Sequence, residues 1–391
     1  MEAFRDFGKH AMQATAVPPA ALPDPRRAPV FIGSEIYRRS SYGPRHPLAI
    51  PRVSSTIDLC RALGWLPDSV YVDSPQATPE QLARFHDPDY IAAVRAAEAA
   101  QAVSPAVRDR YNLGRMDNPV FPEMFRRPAT ASGAAILAAG LIRDGGTVFS
   151  PAGGTHHGRR DRASGFCYFN DPVLAILRLL DLGVAPVYYV DFDAHHGDGV
   201  EAAFADEPRV LTLSIHEQGR WPFTGAVEDR AGGMARNLPV PRGFNDSELA
   251  FLVEEVVVPL GRWLQPAAVV IQSGADGLED DPMSKLSLSN TALWQAVAAT
   301  AGLAPRRLVL GGGGYNPWSV ARCWAGLWGT LNGFAVPERL PAPAEQALRG
   351  LHWHRQAGRN PPDHWLTTLA DPPRNGPIRA AIVEVARASL R

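Results

Sequence analysis

Residues 186–199 read PVYYVDFDAHHGDG, and the fold turns on this stretch. Val187–Val190 is a short apolar run of β-branched and aromatic residues, bounded by Pro186 and a Gly-Asp-Gly turn at 197–199. An apolar run of that length without polar alternation predicts a strand buried on both faces, as in a parallel sheet. Where the chain stays extended past Val190, Asp191, Asp193 and His195 share one face, while Phe192 and Ala194 point into packing. Two carboxylates and an imidazole then collect at a strand end. Asp193 and His195 are spaced to grip one metal ion, and Asp191 lies one step deeper.

Working outward, further apolar runs occur at PVFIG (29–33), SVYVD (69–73), TVFS (147–150), RVLTLSI (209–215), AAVVIQS (267–273) and RLVLGG (307–312). Stretches of helical composition lie between several of them, at 122–144, 171–183, 246–264 and 289–302. Strand–helix repetition with near-continuous apolar strands predicts an α/β domain with a parallel sheet covered on both faces. Its bounds are about residues 29–335. A Pro/Ala-rich arm or linker precedes it at 1–28. A Pro-, Arg- and Trp-rich C-terminal extension follows at 336–391, expected to pack on the domain through a last amphipathic helix marked by Ile378, Ile382 and Val385. Residues 216–245, rich in Gly, Pro and Arg, show no period and read as a long loop.

The 391 residues carry 39 basic and 40 acidic side chains, a net charge of −1 that argues against phosphate backbones and anionic lipid as partners. No apolar run is long enough to span a bilayer, and MEAFRDFGKHAM at the start has no apolar signal region. Cys60, Cys167 and Cys323 are far apart and odd in number, which predicts no disulfide framework. The expectation is a cytoplasmic globular protein.

Four of the apolar runs end in loops that carry His, Asp or Tyr. PAGGTHHG follows TVFS, FDAHHGDG follows PVYYVD, GADGLEDDP begins at the end of AAVVIQS, and GGYNPW ends RLVLGG. In a parallel sheet these loops converge on the carboxyl edge, where ligands bind. Asp276 is the natural supplier of a third metal ligand to Asp193 and His195, leaving an open position as catalytic sites do. The O/N/O set fits Zn²⁺ and leaves Fe²⁺, Mn²⁺ and Co²⁺ open. His156 and His157 are adjacent and would point opposite ways on an extended loop; beside a metal they make sense as acid/base groups oriented by Asp191 and Asp198. Tyr315 closes Gly311–Gly314 and can donate to negative charge developing on oxygen. A phosphate loop is the rival reading of the glycines, but no Gly-Lys-Ser/Thr follows.

GGTHHG…SGFCYFND, YYVDFDAHHGDGVEAAF, GADGLEDDPM and LGGGGYN…ARCW together resemble the zinc-dependent histone deacetylase superfamily, whose bacterial members include acetoin-utilisation-type deacetylases and acetylpolyamine amidohydrolases. The resemblance implies the arginase/deacetylase fold, a single α/β domain with a central parallel sheet of about eight strands. It makes Asp193, His195 and Asp276 ligands of Zn²⁺, with Fe²⁺ as alternative. It makes His157, paired with Asp198, the general base and later acid, and His156, backed by Asp191, its electrostatic partner. Tyr315 would polarise the scissile carbonyl. Asp117, Gly165, Phe166, Phe223, Met283 and Gly313 would contact substrate, and Arg52 would line an internal cavity that leads away acetate. Structural K⁺ would be held around Asp191, Asp193, His195, Ser214 and Ile215.

Met283 stands where polyamine-specific relatives carry a glutamate, which favours acyl-lysine substrates over acylpolyamines. Expected partners are acyl-lysine proteins or peptides, acyl-CoA synthetases among them, with neither nucleic acid nor membrane; a homo-oligomer is left open. Two departures stand out: residues 216–245 do not follow the eukaryotic loop closely, and Thr155 stands where relatives often have Gly or Trp. An arginase-like two-Mn²⁺ site would need a second aspartate where Gly274 stands. A silent acyl-lysine reader would be expected to lack a catalytic position, and none is missing.

Overall fold

A computed structural model of the chain describes residues 22–390. Eight strands form one sheet: β1 (Val30–Gly33), β2 (Tyr71–Asp73), β3 (Gly146–Ser150), β4 (Val187–Asp191), β5 (Val210–Glu217), β6 (Ala235–Val240), β7 (Ala268–Gln272) and β8 (Arg306–Leu310). Their order across the sheet is β2-β1-β3-β8-β7-β4-β5-β6, and every pairing is parallel. Side chains alternate along β4, so Val187 and Tyr189 pack into one layer and Tyr188 and Val190 into the other. Helices Arg126–Leu141 and Asp171–Asp181 cover the first layer; Val53–Ala62, Asn290–Ala301 and Pro317–Asn332 cover the second. Both faces are dry, which is why these strands read as unbroken apolar runs.

Each of the seven apolar runs contributes a strand. β6 was not expected: it lies inside 216–245, and β5 also runs on through His216 and Glu217. The irregular stretch therefore shrinks to about 218–234. As an edge strand β6 tolerates Pro239, which has no N–H to offer a neighbour. The predicted helix over 246–264 forms with one wide π turn at Val253–Val257, two residues ahead of Pro259, which cannot donate to an α ladder.

Of the arm or linker expected over residues 1–28, residues 1–21 lie outside the described residues. The rest turns at Asp24, and the Pro25 carbonyl accepts the Thr147 N–H at 3.1 Å. Residues 336–390 lie against the body. Arg322, fully buried on Pro317–Asn332, pairs with Asp371 at 2.7 Å, and Trp318 donates its indole N–H to the Leu348 carbonyl at 2.9 Å. The last helix spans Ala380–Ser389 and buries Ile382, Ala386 and Ser389. Ile378, expected on its apolar stripe, lies before the helix and is 45% exposed.

Strands β3, β8, β7 and β4 are consecutive in the sheet, so the four chemistry-bearing loops are neighbours. That adjacency builds the site.

Candidate active site

β4 ends at Asp191, and the chain continues through bends that keep the predicted alternation. Phe192 and Ala194 are buried in the core, while Asp193 and His195 turn the other way. Asp276, from the turn after β7, completes the group: one ligand atom from each of Asp193, His195 and Asp276 lies within 4.8 Å of the others, and all three are buried. It is the single metal-suited group of three or more His, Cys, Asp or Glu found among the described residues. The backbone orients the carboxylates. Asp193 Oδ2 accepts the Gly313 N–H at 2.6 Å, and Asp276 Oδ1 accepts the Ala194 N–H at 2.9 Å. Gly313 and Gly274 permit that approach, since a Cβ on either would collide with Asp276 or Asp193. Gly313, expected to touch substrate, thus also anchors a ligand.

This cage fits a divalent cation. Burial opposes charge on His195, but the Asp193 and Asp276 carboxylates at 3.2 and 2.8 Å outweigh it and hold the imidazole up to about 10. Burial and the Asp193 charge push Asp276 up. Two oxygens and a nitrogen in a field that favours positive charge are donors for a metal of borderline softness.

His156 and His157 do not point opposite ways. They sit in a turn rather than an extended loop, and their rings lie 3.9 Å apart between centroids. His156 Nδ1 is 2.8 Å from Asp191 Oδ2, and His157 Nδ1 is 2.7 Å from Asp198 Oδ1, so both rings turn Nε2 away from their carboxylates. Their electrostatics diverge. Burial opposes charge on His156, but Asp191 and Asp193 prevail and raise it to about 9. For His157, burial and the neighbouring His156 charge win over Asp198, and it falls to about 3. Arg159 also bonds Asp198 and occupies its second oxygen. Asn170 and Asp171, which were not singled out in the sequence, hold the turn. The Asn170 amide donates to the His156 and Gly158 carbonyls at 3.1 and 2.9 Å, and Asp171 accepts the Gly154 and Thr155 N–H groups at 2.9 and 2.8 Å. Their sequence signal was the Asn-Asp-Pro that starts helix Asp171–Asp181.

Tyr315 is buried, its ring 5.9 Å from that of Phe166. Burial and the Asp276 and Asp193 charges raise its phenol well above the usual value. An outer cleft of about 510 Å³ leads to His157, His195 and Tyr315; Asp117, Gly165, Phe166, Trp221, Phe223 and Met283 line it. Trp221 lines the cleft with Phe166, its ring 4.6 Å from that of His157. Phe223, expected in the tunnel wall, is 74% exposed at the rim. Trp221 was missed because its loop has no period to say which aromatic turns inward. Beneath the site a cavity of about 80 Å³ reaches Arg52. This half-buried arginine donates to the Gly312 carbonyl, stacks 4.9 Å over Trp324, and leaves its Nε without a partner. Ser214 pairs beside Asp191 in the β4–β5 register, with Ile215 buried next to it, and the Ser214 hydroxyl lies 3.0 Å from His216 Nδ1. Thr155 donates its hydroxyl to Asp171.

The histone deacetylase domain matches residues 46–331. The chain is 33% identical over 354 residues to the acetoin utilization protein AcuC of Bacillus subtilis (strain 168), covering 87% of this chain and 90% of that one. It is 37% identical over 311 residues to histone deacetylase 2 of Oryza sativa subsp. japonica, covering 77% of this chain but 60% of that longer protein. The crystal structure of an HDAC homolog from Aquifex aeolicus superposes with a TM-score of 0.88 at 35% identity, over 92% of this chain and 99% of that one. Sheet order, buried cage and similarity over most of its length agree: the chain belongs to the histone deacetylase family of metal-dependent hydrolases.

Proposed function

We propose that the chain hydrolyses the amide of acylated lysine side chains in proteins or peptides, acetyl-lysine above all. The observation that carries this reading is the juxtaposition of the Asp193/His195/Asp276 cage with two buried imidazoles, each held by its own carboxylate, at the foot of a cleft walled by aromatic rings. Phe166, Trp221 and Met283 offer apolar surface to a methylene stem, and Asp117 stands at the rim where a substrate backbone N–H would arrive.

Asp193, His195 and Asp276 would hold a divalent cation, Zn²⁺ by our assignment and Fe²⁺ as alternative, which would supply Lewis acidity toward the acyl carbonyl and acidify the attacking water. His157, neutral and oriented by Asp198, accepts the proton of that water through Nε2. His156, held charged by Asp191 and Asp193, stabilises negative charge as it builds. Tyr315 donates its phenolic proton as a hydrogen bond to the oxyanion. His157 then returns its proton to the leaving ε-amine. The small cavity at Arg52 suits release of a short carboxylate, with the unpartnered Nε as its donor. The adjacency of Asp191 and Ser214 supports a structural K⁺ among the carbonyls of Asp191, Asp193, His195 and Ile215.

We place the enzyme in the cytoplasm, acting on acylated metabolic enzymes such as acyl-CoA synthetases. No helix among the described residues is long and apolar enough to cross a membrane. The test is turnover of an acetyl-lysine peptide by metal-reconstituted protein, read beside a longer-acyl panel and N-acetylputrescine. Release of acetate from the peptide with little from the polyamine supports the reading. Faster turnover of N-acetylputrescine would make it a polyamine amidohydrolase, and inactivity across metals and acyl groups would leave only a binding role.

A further inference from the structure

Tyr315 follows four glycines, and Gly314 sits at φ +135°, so the backbone leading to the phenol has little intrinsic preference to aim it. The aim is set from outside. Asp281, buried five residues past Asp276, accepts the Tyr315 N–H on Oδ2 at 2.6 Å and the Met283 N–H on Oδ1 at 2.9 Å. One carboxylate thereby holds the oxyanion donor and the apolar tunnel wall together. Met283 is gripped from its other side as well, its carbonyl accepting Arg220 at 2.7 Å. The neighbouring Asp280 reaches in the opposite direction. Its carboxylate accepts the Trp365 indole N–H at 2.8 Å, and its carbonyl accepts the Asn316 amide at 3.1 Å. Trp365 belongs to the C-terminal segment and stacks on Trp318, 5.5 Å between ring centroids.

We propose that Asp281 is a positioning residue for turnover, setting the Tyr315 phenol and the Met283 wall through its paired amide bonds, and that Asp280 and Trp365 extend this support to the C-terminal segment. The inference rests on the deacylase reading above. An asparagine at position 281 keeps the shape but presents an NH₂ where one of the two amides needs an acceptor, so one bond is lost. The Trp365→Phe change keeps the ring and removes only the N–H that reaches Asp280.

The test is a double-mutant cycle on the acetyl-lysine peptide, with kcat and KM measured for wild type, Asp281→Asn, Tyr315→Phe and the double variant, and melting temperatures alongside. The expected result is a drop in kcat of about 10–100-fold for Asp281→Asn, the size usual for orienting groups behind a catalytic site. In the Tyr315→Phe background the same change should cost less than about threefold, because the group it aims is gone. Equal losses in both backgrounds would show a merely structural role and overturn the proposal. Should Asp281→Asn not fold, Trp365→Phe enters the same cycle, with a several-fold kcat loss expected only where Tyr315 is present and an equal loss in both backgrounds overturning it. Wild-type inactivity on every acyl-lysine peptide would sink the deacylase reading itself; additive losses in an active wild type sink only the positioning role.

Discussion

At the floor of the cleft the ionisable groups are buried and bound to partners, whereas at its rim Phe223 stands 74% exposed. The floor draws on four adjacent strand ends, and its carboxylates accept backbone N–H groups that hold them in place. The mouth draws on loops at 116–117, 217–223 and 281–285, stitched by the Arg220–Glu217 pair and by Glu217 accepting the Lys285 N–H at 2.8 Å. The difference separates two jobs. A floor of buried charge does chemistry and tolerates no change, since removing one partner leaves another buried and unpaired. A mouth of exposed apolar surface selects what enters and can vary.

If that division holds, substitutions should sort by which kinetic constant they move. The largest effect is expected for Asp276→Ala, which should abolish turnover and also the thermal stabilisation that added Zn²⁺ gives the parent protein. At a hundredfold excess over its dissociation constant that stabilisation is about 2.7 kcal/mol, and metal analysis with melting curves reads it without any assay of activity. Next, His157→Ala should lower kcat by about 10²–10⁴ through loss of the proton acceptor. Tyr315→Phe should cost about 10²–10³ in kcat with KM nearly unchanged. A rise in KM at constant kcat for either variant would break the comparison. At the mouth, Phe223→Ala should raise KM several-fold for peptides while leaving kcat and, within about 0.5 kcal/mol, stability alone.

The smallest expected effect concerns His86, which supports the floor from behind. Its Nε2 accepts the Asn170 N–H and its Nδ1 donates to the Arg159 carbonyl, each at 2.9 Å, so the buried ring must stay neutral. Burial drives it down to about 3 from an ordinary value near 6.5. The unfolded chain therefore binds a proton that the folded chain refuses. The contribution of His86 to stability is present above about pH 6.5 and is lost as pH falls toward 3. A His86→Gln variant should be less stable at pH 8 yet show a shallower decline in melting temperature between pH 6.5 and 4. An unchanged slope would remove His86 from the acid response.

Legibility followed the same division. Strand runs and the Asp191/Asp193/His195 alternation were readable because period-two patterning is local and both sheet faces are buried. β6 was not, since an edge strand containing Asn237 and Pro239 lacks the apolar continuity of its neighbours. The His156/His157 pair was misjudged in direction, because a turn stapled by Asn170 and Asp171 aims both rings to one side. Family resemblance supplied Phe223 for the wall; it lines the rim at 74% exposure, while Trp221 lies 4.6 Å from the His157 ring.

By itself, the amino-acid order determined the sheet, the edge on which chemistry collects, and the residue types available there, because those depend on spacings of two to four residues. Tertiary structure alone decided the distances at which each carboxylate meets its imidazole and Asp276 closes the cage, that both imidazoles face one side, and that Asp281 reaches Tyr315. Each of these contacts joins residues 34 or more positions apart, and their distances are set by strand order and packing.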